Sequence, residues 1–85
     1  MNECYFGQIL LFAFDRVPEG FMRCEGQTLS YRNNQRIQAL FSLIGNRWGG
    51  DLDKQEFKLP DLRETSPIPG LCYMICTSGI YPSFD

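Results

Sequence analysis

This sequence predicts an α+β fold: a small mixed sheet of about five or six short strands with one amphipathic helix over residues 31–44. Three observations carry the prediction. The run YFGQILLFAF over residues 5–14 is rich in β-formers. Ile37, Leu40, Phe41 and Ile44 recur at i, i+3, i+4 and i+7 and so share one helix face. Elsewhere Pro and Gly interrupt the chain at short intervals, leaving room only for short extended segments. The 85 residues predict one domain over 1–85. With 44% apolar and 14% aromatic residues the chain is too apolar for a disordered one. At this size it buries about 60–70% of its unfolded surface, so the core is limited.

The first strand, residues 5–14, is apolar on both faces, which suits burial on both sides or a subunit contact. Residues 15–20 (DRVPEG) read as a turn, because Pro18 fixes φ and Gly20 tolerates positive φ. A short strand over 21–24 precedes a second turn at Glu25-Gly26, and Thr28-Leu29 is extended again. Ser30 or Asn33 can cap the helix by accepting a free backbone N–H, and Gly45 supplies the position that ends it. Residues 46–55 form a polar loop interrupted by Trp48. A strand over 56–59 stops at Pro60, a proline loop spans 64–70, and a final strand covers 71–77 before an apolar tail containing Ile80 and Tyr81.

The formal charge is −2, and the arginines are interleaved with carboxylates. No basic face for a phosphate backbone emerges, so nucleic acid is not an expected partner. The N-terminus shows neither a charged n-region nor a small-residue cleavage site, and the longest apolar run, residues 9–14, falls short of the roughly 20 residues a membrane span requires. The expectation is a soluble protein, cytoplasmic when made, that can leave the cell within a larger particle.

Four cysteines raise disulfide and metal readings. In a strand, Cys72 and Cys76 share a face about 13 Å apart, too far for a bridge. A structural zinc site needs paired Cys spacings or histidines; Cys72-x3-Cys76 occurs once and the chain has no histidine. Buried, reduced cysteines are therefore expected, with a Cys4–Cys24 bridge as the alternative and no metal.

The loop Gly45-Asn46-Arg47-Trp48-Gly49-Gly50-Asp51 invites a phosphate reading, but it lacks a Lys-Ser/Thr ending and follows the negative, C-terminal end of the helix. The structural reading has glycines setting the turn while Trp48 packs back onto the sheet. A third reading makes Arg47, Trp48, Asp51 and Asp53 a ligand or partner loop, with an aromatic platform and carboxylates for sugar hydroxyls. Asp61 and Arg63 flank Leu62 and share a face in an extended segment. An arginine so near keeps the carboxylate ionised, which disfavours acid catalysis and favours a structural role. Without histidine there is no usual base for Ser or Cys, and Lys54 and Lys58 lie in a polar stretch. No enzyme activity and no cofactor are expected.

The motifs, taken in order, resemble the phage tail collar domain, found in short tail fibres of contractile-tailed phages and in the small "microcystin-dependent" tail-like proteins of bacteria. Gly7-Gln8-Ile9-Leu10-Leu11-Phe12 resembles the family's opening G-x-I-x-x-F, and Pro18-x-Gly20-Phe21-x-x-Cys24-Glu25-Gly26-Gln27 its P-x-G-W-x-x-C-D-G-Q, with Phe for Trp and Glu for Asp. Leu40-Phe41-Ser42-Leu43-Ile44-Gly45 with Trp48-Gly49-Gly50-Asp51 is similar to L-F-S-L-I-G…Y-G-G-D. Phe57-x-Leu59-Pro60-Asp61-Leu62-Arg63 matches F-x-L-P-D-L-R. The closing segment 73–83 resembles the last strand and tail of the bacterial members. The family pattern continues with G-R and a long glycine-rich insertion bearing receptor-binding residues and, in some members, histidine-bound metal. Here Glu64-Thr65-Ser66-Pro67-Ile68-Pro69-Gly70 leads almost at once to the final strand.

The resemblance implies a structural or adaptor component of a phage tail or tail-like particle that self-associates, often as a trimer. Leu10, Phe12, Phe14, Ile80 and Tyr81 are the expected oligomer contacts. Pro18, Gly20, Cys24, Gly26, Gly45, Gly49, Gly50, Pro60, Asp61 and Arg63 are the expected turn and strand-end devices. The alternatives are a glycan or receptor recognition module using the Trp48 loop, or a tail-derived regulator that binds another protein.

Overall fold

The computed structural model describes residues 4–84, so the single unit expected over 1–85 extends beyond the described residues at both ends. Five strands and one helix follow in the order β1 (Ile9–Phe12), β2 (Phe21–Arg23), β3 (Thr28–Ser30), α1 (Gln35–Ile44), β4 (Glu56–Lys58) and β5 (Cys72–Cys76), with a 3₁₀ turn at Leu52–Lys54. The α+β class stands. The strands, however, divide between two antiparallel sheets rather than one mixed sheet: β1-β5-β2, and the β3-β4 pair. The parallel pairing among the described residues is an isolated bridge between Tyr5 and Ile80.

β5 is the central strand of the larger sheet. Its sequence, CYMIC, has no polar residue because Met74, Ile75 and Cys76 are buried whichever face they point to. β1 pairs with it through Ile9↔Ile75 and Leu11↔Tyr73, and β2 through Met22↔Ile75. Side chains alternate across a strand. Ile9, Met22 and Ile75 therefore share one face, where they pack with Ile37 and Leu40 of α1 and with Phe57 and Leu59. Tyr31, Phe41 and Phe57 stack around the same core, with ring centroids 4.2, 5.2 and 6.2 Å apart. On the opposite face Phe12 packs edge-on against Phe21 at 5.2 Å.

β1 begins at a bulge. Gly7 N–H donates to the Cys76 carbonyl, and Cys76 N–H donates to the Gln8 carbonyl, so Gly7 and Gln8 together oppose one residue of β5. Such a bulge takes a left-handed residue at its first position, and Gly7 has φ +83. The strand is correspondingly shorter than the 5–14 run. It is also not buried on both sides, because Leu11 is 39% exposed.

The helix starts at Gln35 rather than at residue 31, and its cap is Asn34 rather than Ser30 or Asn33. The backbone before Gln35 is not helical: Tyr31 N–H donates to the Gln55 carbonyl at 3.0 Å, holding that residue beside the β3-β4 pair, and Asn33 sits at φ +57, in the left-handed region that breaks a right-handed helix. Asn34 is extended, and its Oδ1 accepts from Ile37 N–H at 3.2 Å, a contact worth about 1 kcal/mol in a helix. At the other end Gly45 N–H donates to the Phe41 carbonyl at 2.8 Å.

The cysteine expectation is corrected. Cys4 and Cys76 form a disulfide, with Cα atoms 6.3 Å apart, while Cys24 and Cys72 are free. Cys4 lies beside Cys76 because the Tyr5–Ile80 bridge and the Ile80 N–H to Cys4 carbonyl bond (2.8 Å) fold the N-terminal segment along the chain that follows β5. Cys4 precedes β1 and Cys24 follows β2; those strands flank β5 on opposite sides, so the two cysteines are not partners.

Candidate functional site

Residues 56–63, which include β4 and the Leu-Pro-Asp-Leu-Arg run, are hydrogen-bonded along both edges. On one edge β3 pairs with β4, Leu59 N–H donates to the Gln27 carbonyl at 3.1 Å, and Gly26 N–H donates to the Pro60 carbonyl at 3.2 Å. Leu62 N–H then donates to the Cys24 carbonyl at 2.9 Å. On the other edge Lys58 N–H donates to the Gly49 carbonyl at 3.0 Å, and Asp51 and Glu56 exchange backbone bonds at 3.1 and 2.9 Å. The motifs over 18–27, 40–51 and 57–63 are thus joined in one hydrogen-bonded frame, with the 57–63 motif as its spine.

Local chemistry fixes each border of that frame. A Cβ on Gly50 would lie 2.5 Å from the Glu56 carbonyl oxygen and 2.6 Å from Phe57 Cα, so backbone meets backbone and no side chain fits. Asp51 Oδ1 accepts from the N–H groups of Asp53 and Lys54 (3.1 and 3.4 Å) and caps the 3₁₀ turn. Gln27 holds the opposite turn: its amide donates to the Arg23 carbonyl at 2.6 Å and its oxygen accepts from Glu25 N–H at 3.0 Å. Of the loop residues singled out in the sequence, Asp51 therefore has its carboxylate committed to the backbone. Trp48, expected to pack back onto the sheet, is 44% exposed and lies outside the core cluster, and Arg47 and Asp53 are exposed as well.

Asp61 and Arg63 form a two-pronged ion pair. Arg63 Nε donates to Asp61 Oδ1 at 2.9 Å and Nη2 to Oδ2 at 2.6 Å, and the Arg63 backbone N–H also reaches Oδ1 at 3.3 Å. The Arg63 side-chain bonds, then its backbone N–H, hold the Asp61 carboxyl at about 2, below its ordinary 3.8. The guanidinium of Arg63 is pushed further up, chiefly by its hydrogen bond to Asp61. Both groups are solvent-exposed. For a depressed acid the stabilisation is fully present above pH 3.8 and is lost as pH falls toward 2. A carboxyl ¹³C titration is expected to place Asp61 near pH 2, and Arg63→Ala to return it toward 3.8; an unchanged midpoint in the variant would contradict the pairing.

A small cavity of about 110 Å³ lies beside this pair, lined by residues that include Arg23, Cys24, Arg63 and Cys72. Burial, then the nearby Cys72 thiol, push the Cys24 thiol up to about 11. It stays protonated at neutral pH, and the thiolate is the nucleophilic form. Among the described residues no group of three or more His, Cys, Asp or Glu side chains could hold a metal ion. No helix among them is long and apolar enough to cross a membrane.

Among the expected oligomer contacts, Leu10 and Phe12 are half-buried within β1 and Phe14 is exposed just beyond it. Ile80 and Tyr81 are exposed on the tail, where Tyr81 packs on Phe6 at 6.4 Å and its hydroxyl meets Ser42 Oγ at 2.6 Å. Sequence reasoning missed the roles of Gln27 and Gly7. The signal for Gln27 is its place two residues after Glu25 at a turn, where its side chain can bond nearby backbone.

A compact α+β frame whose motif residues bond one another defines a structural module. Residues 7–67 match the phage tail collar domain, and the chain belongs to that family, a structural domain of phage tails. No curated protein and no solved structure matches the chain.

Proposed function

We propose that this chain is a structural or adaptor component of a phage tail or tail-like particle, acting by self-association and protein–protein contact. The observation that carries the reading is where its apolar surface lies. Among the described residues, Trp48, Leu52 and Ile68 are exposed on loops, while the other exposed large apolar side chains (Tyr5, Leu11, Phe14, Val17, Ile80, Tyr81 and Phe84) lie along β1, its flanks and the tail. Exposed apolar side chains weighted toward one part of a small domain suit a contact surface. Sedimentation velocity over a rising concentration series is expected to show a defined oligomer. A monomer at every concentration would contradict self-association.

One observation favours a second reading, recognition of a surface glycan. Trp48 is exposed on a loop locked to β4 by three backbone hydrogen bonds, and a rigid aromatic face suits the C–H side of a sugar. On this reading a glycan array gives binding that Trp48→Ala removes; binding that survives the substitution would place the sugar elsewhere.

A further inference from the structure

We infer that two copies of this chain pair antiparallel through the free edge of β1, joining their three-stranded sheets into one six-stranded sheet across a two-fold axis. The inference rests on the self-association reading and gives it a geometry. Hydrogen bonds flanking β5 show which backbone groups are free. Cys76 exchanges bonds with the Gly7-Gln8 bulge at the start of β1, whereas Tyr73 and Thr77 bond Cys24 and Gly20 on the β2 side. Even-numbered residues of β5 therefore bond toward β1 and odd-numbered ones toward β2. In an antiparallel ladder the pairs alternate between bonded and non-bonded. Leu10 and Phe12, opposite Met74 and Cys72, thus bond β5, and Ile9 and Leu11 turn their N–H and C=O groups outward. Among the described residues those outward groups have no hydrogen-bond partner.

The other edge of this sheet is treated differently. There the Gln27 side chain covers the Arg23 carbonyl, and Arg23 donates across to the Asp15 carbonyl. Edge strands are ordinarily blunted by charges or Pro, and residues 5–14 contain neither. With Ile9 of one copy opposite Leu11 of the other, both outward residues of each strand bond, giving four backbone hydrogen bonds about an axis at Leu10. Sliding the register by two residues in either direction loses a bonded pair to the bulge or to the end of the strand.

The stretch that pairs carries no charge, since residues 5–14 hold neither an acid nor a base, so no like charges meet within the ladder. Tyr5, Leu11, Phe14 and Val17 are 39–53% exposed, which is where apolar area is available to add to the ladder. A stable pairing of standard size takes about 800 Å² from each copy, about one-seventh of the 5904 Å² exposed here.

The test uses the whole chain, with three variants and sedimentation velocity. Leu11→Pro removes only an outward N–H, which an edge position tolerates, and Leu11→Lys adds an edge charge while leaving the backbone intact. Each is expected to convert dimer to monomer at unchanged concentration, with wild-type circular dichroism. In a Cys72→Ser background, Leu10→Cys is expected to give a covalent dimer on a non-reducing gel, because a non-bonded antiparallel pair brings Cα atoms to about 4.5 Å. Arg36→Cys, on α1, is expected to give none. A trimer, or a dimer that survives both Leu11 variants and fails to cross-link through Leu10→Cys, would overturn the edge geometry and leave self-association standing. A wild-type monomer at every concentration would overturn both.

Discussion

Reducing the Cys4–Cys76 disulfide is expected to lower stability by about 4 kcal/mol, the chain-entropy value for a closed loop of this size. The two cysteines are 72 residues apart, so the bond closes nearly the whole chain. In the unfolded ensemble it forbids most of the separations that the ends of an open chain explore. In the folded state it joins segments already held by the Ile80 to Cys4 backbone bond and by Cys76 in the sheet. Domains of this size have total stabilities of roughly 5–10 kcal/mol, so the loss would be a large part of the whole. Chemical denaturation with and without a reductant measures it, and Cys4→Ala in oxidising buffer should match the reduced protein. Equal midpoints in all three would remove the disulfide from the account of stability. Disulfides persist in oxidising compartments, so this contribution is greatest for protein outside the cytoplasm.

Phe57→Ala is expected to cost about 3–5 kcal/mol, the range for deleting a large buried aromatic ring. Phe57 is fully buried at the middle of β4, against Phe41 and Tyr31. It joins the two halves of the fold, because its backbone lies in the motif frame while its ring lies in the α1 core. Truncation would leave a cavity lined by Tyr31, Phe41 and Leu40, whose positions are fixed by the helix and by the Tyr31–Gln55 bond. Little collapse into the void is available, which places the cost toward the upper end. The measurement is the denaturant midpoint at constant slope. A loss below about 1 kcal/mol would mean that the ring is not a core element.

Much of this was legible in the sequence, and the reasons differ by element. The α1 face was readable because Ile37, Leu40, Phe41 and Ile44 obey the helical repeat, and Ile37 and Leu40 are indeed its buried residues. The helix begins later than the apolar repeat predicts because Asn33 takes a left-handed conformation at φ +57, which that repeat does not encode. The strand before Pro60 was readable, although β4 ends at Lys58, whereas the division into two sheets depends on pairings between β1 and β5 that no local pattern encodes. Cysteine spacing suggested Cys4 with Cys24 as the pair to consider, yet Cys76 is the partner because the segment after β5 runs beside the segment before β1. At the candidate site, Gly50 is expected from the sequence as a turn residue; that a Cβ there would meet the backbone of β4 depends on a distant segment. Trp48 read as core because a lone indole usually is. It is instead 44% exposed, with the two glycines after it running beside β4.

A structural or adaptor role requires this collar-family chain to be built into a tail or tail-like particle. The decisive measurement is density-gradient purification of particles from cells making the native protein, followed by quantitative mass spectrometry. The chain is expected to sediment with other tail proteins at a fixed, multiple-copy ratio that survives high salt. A chain found wholly in the free fraction, while assembled particles lack it, would contradict that role.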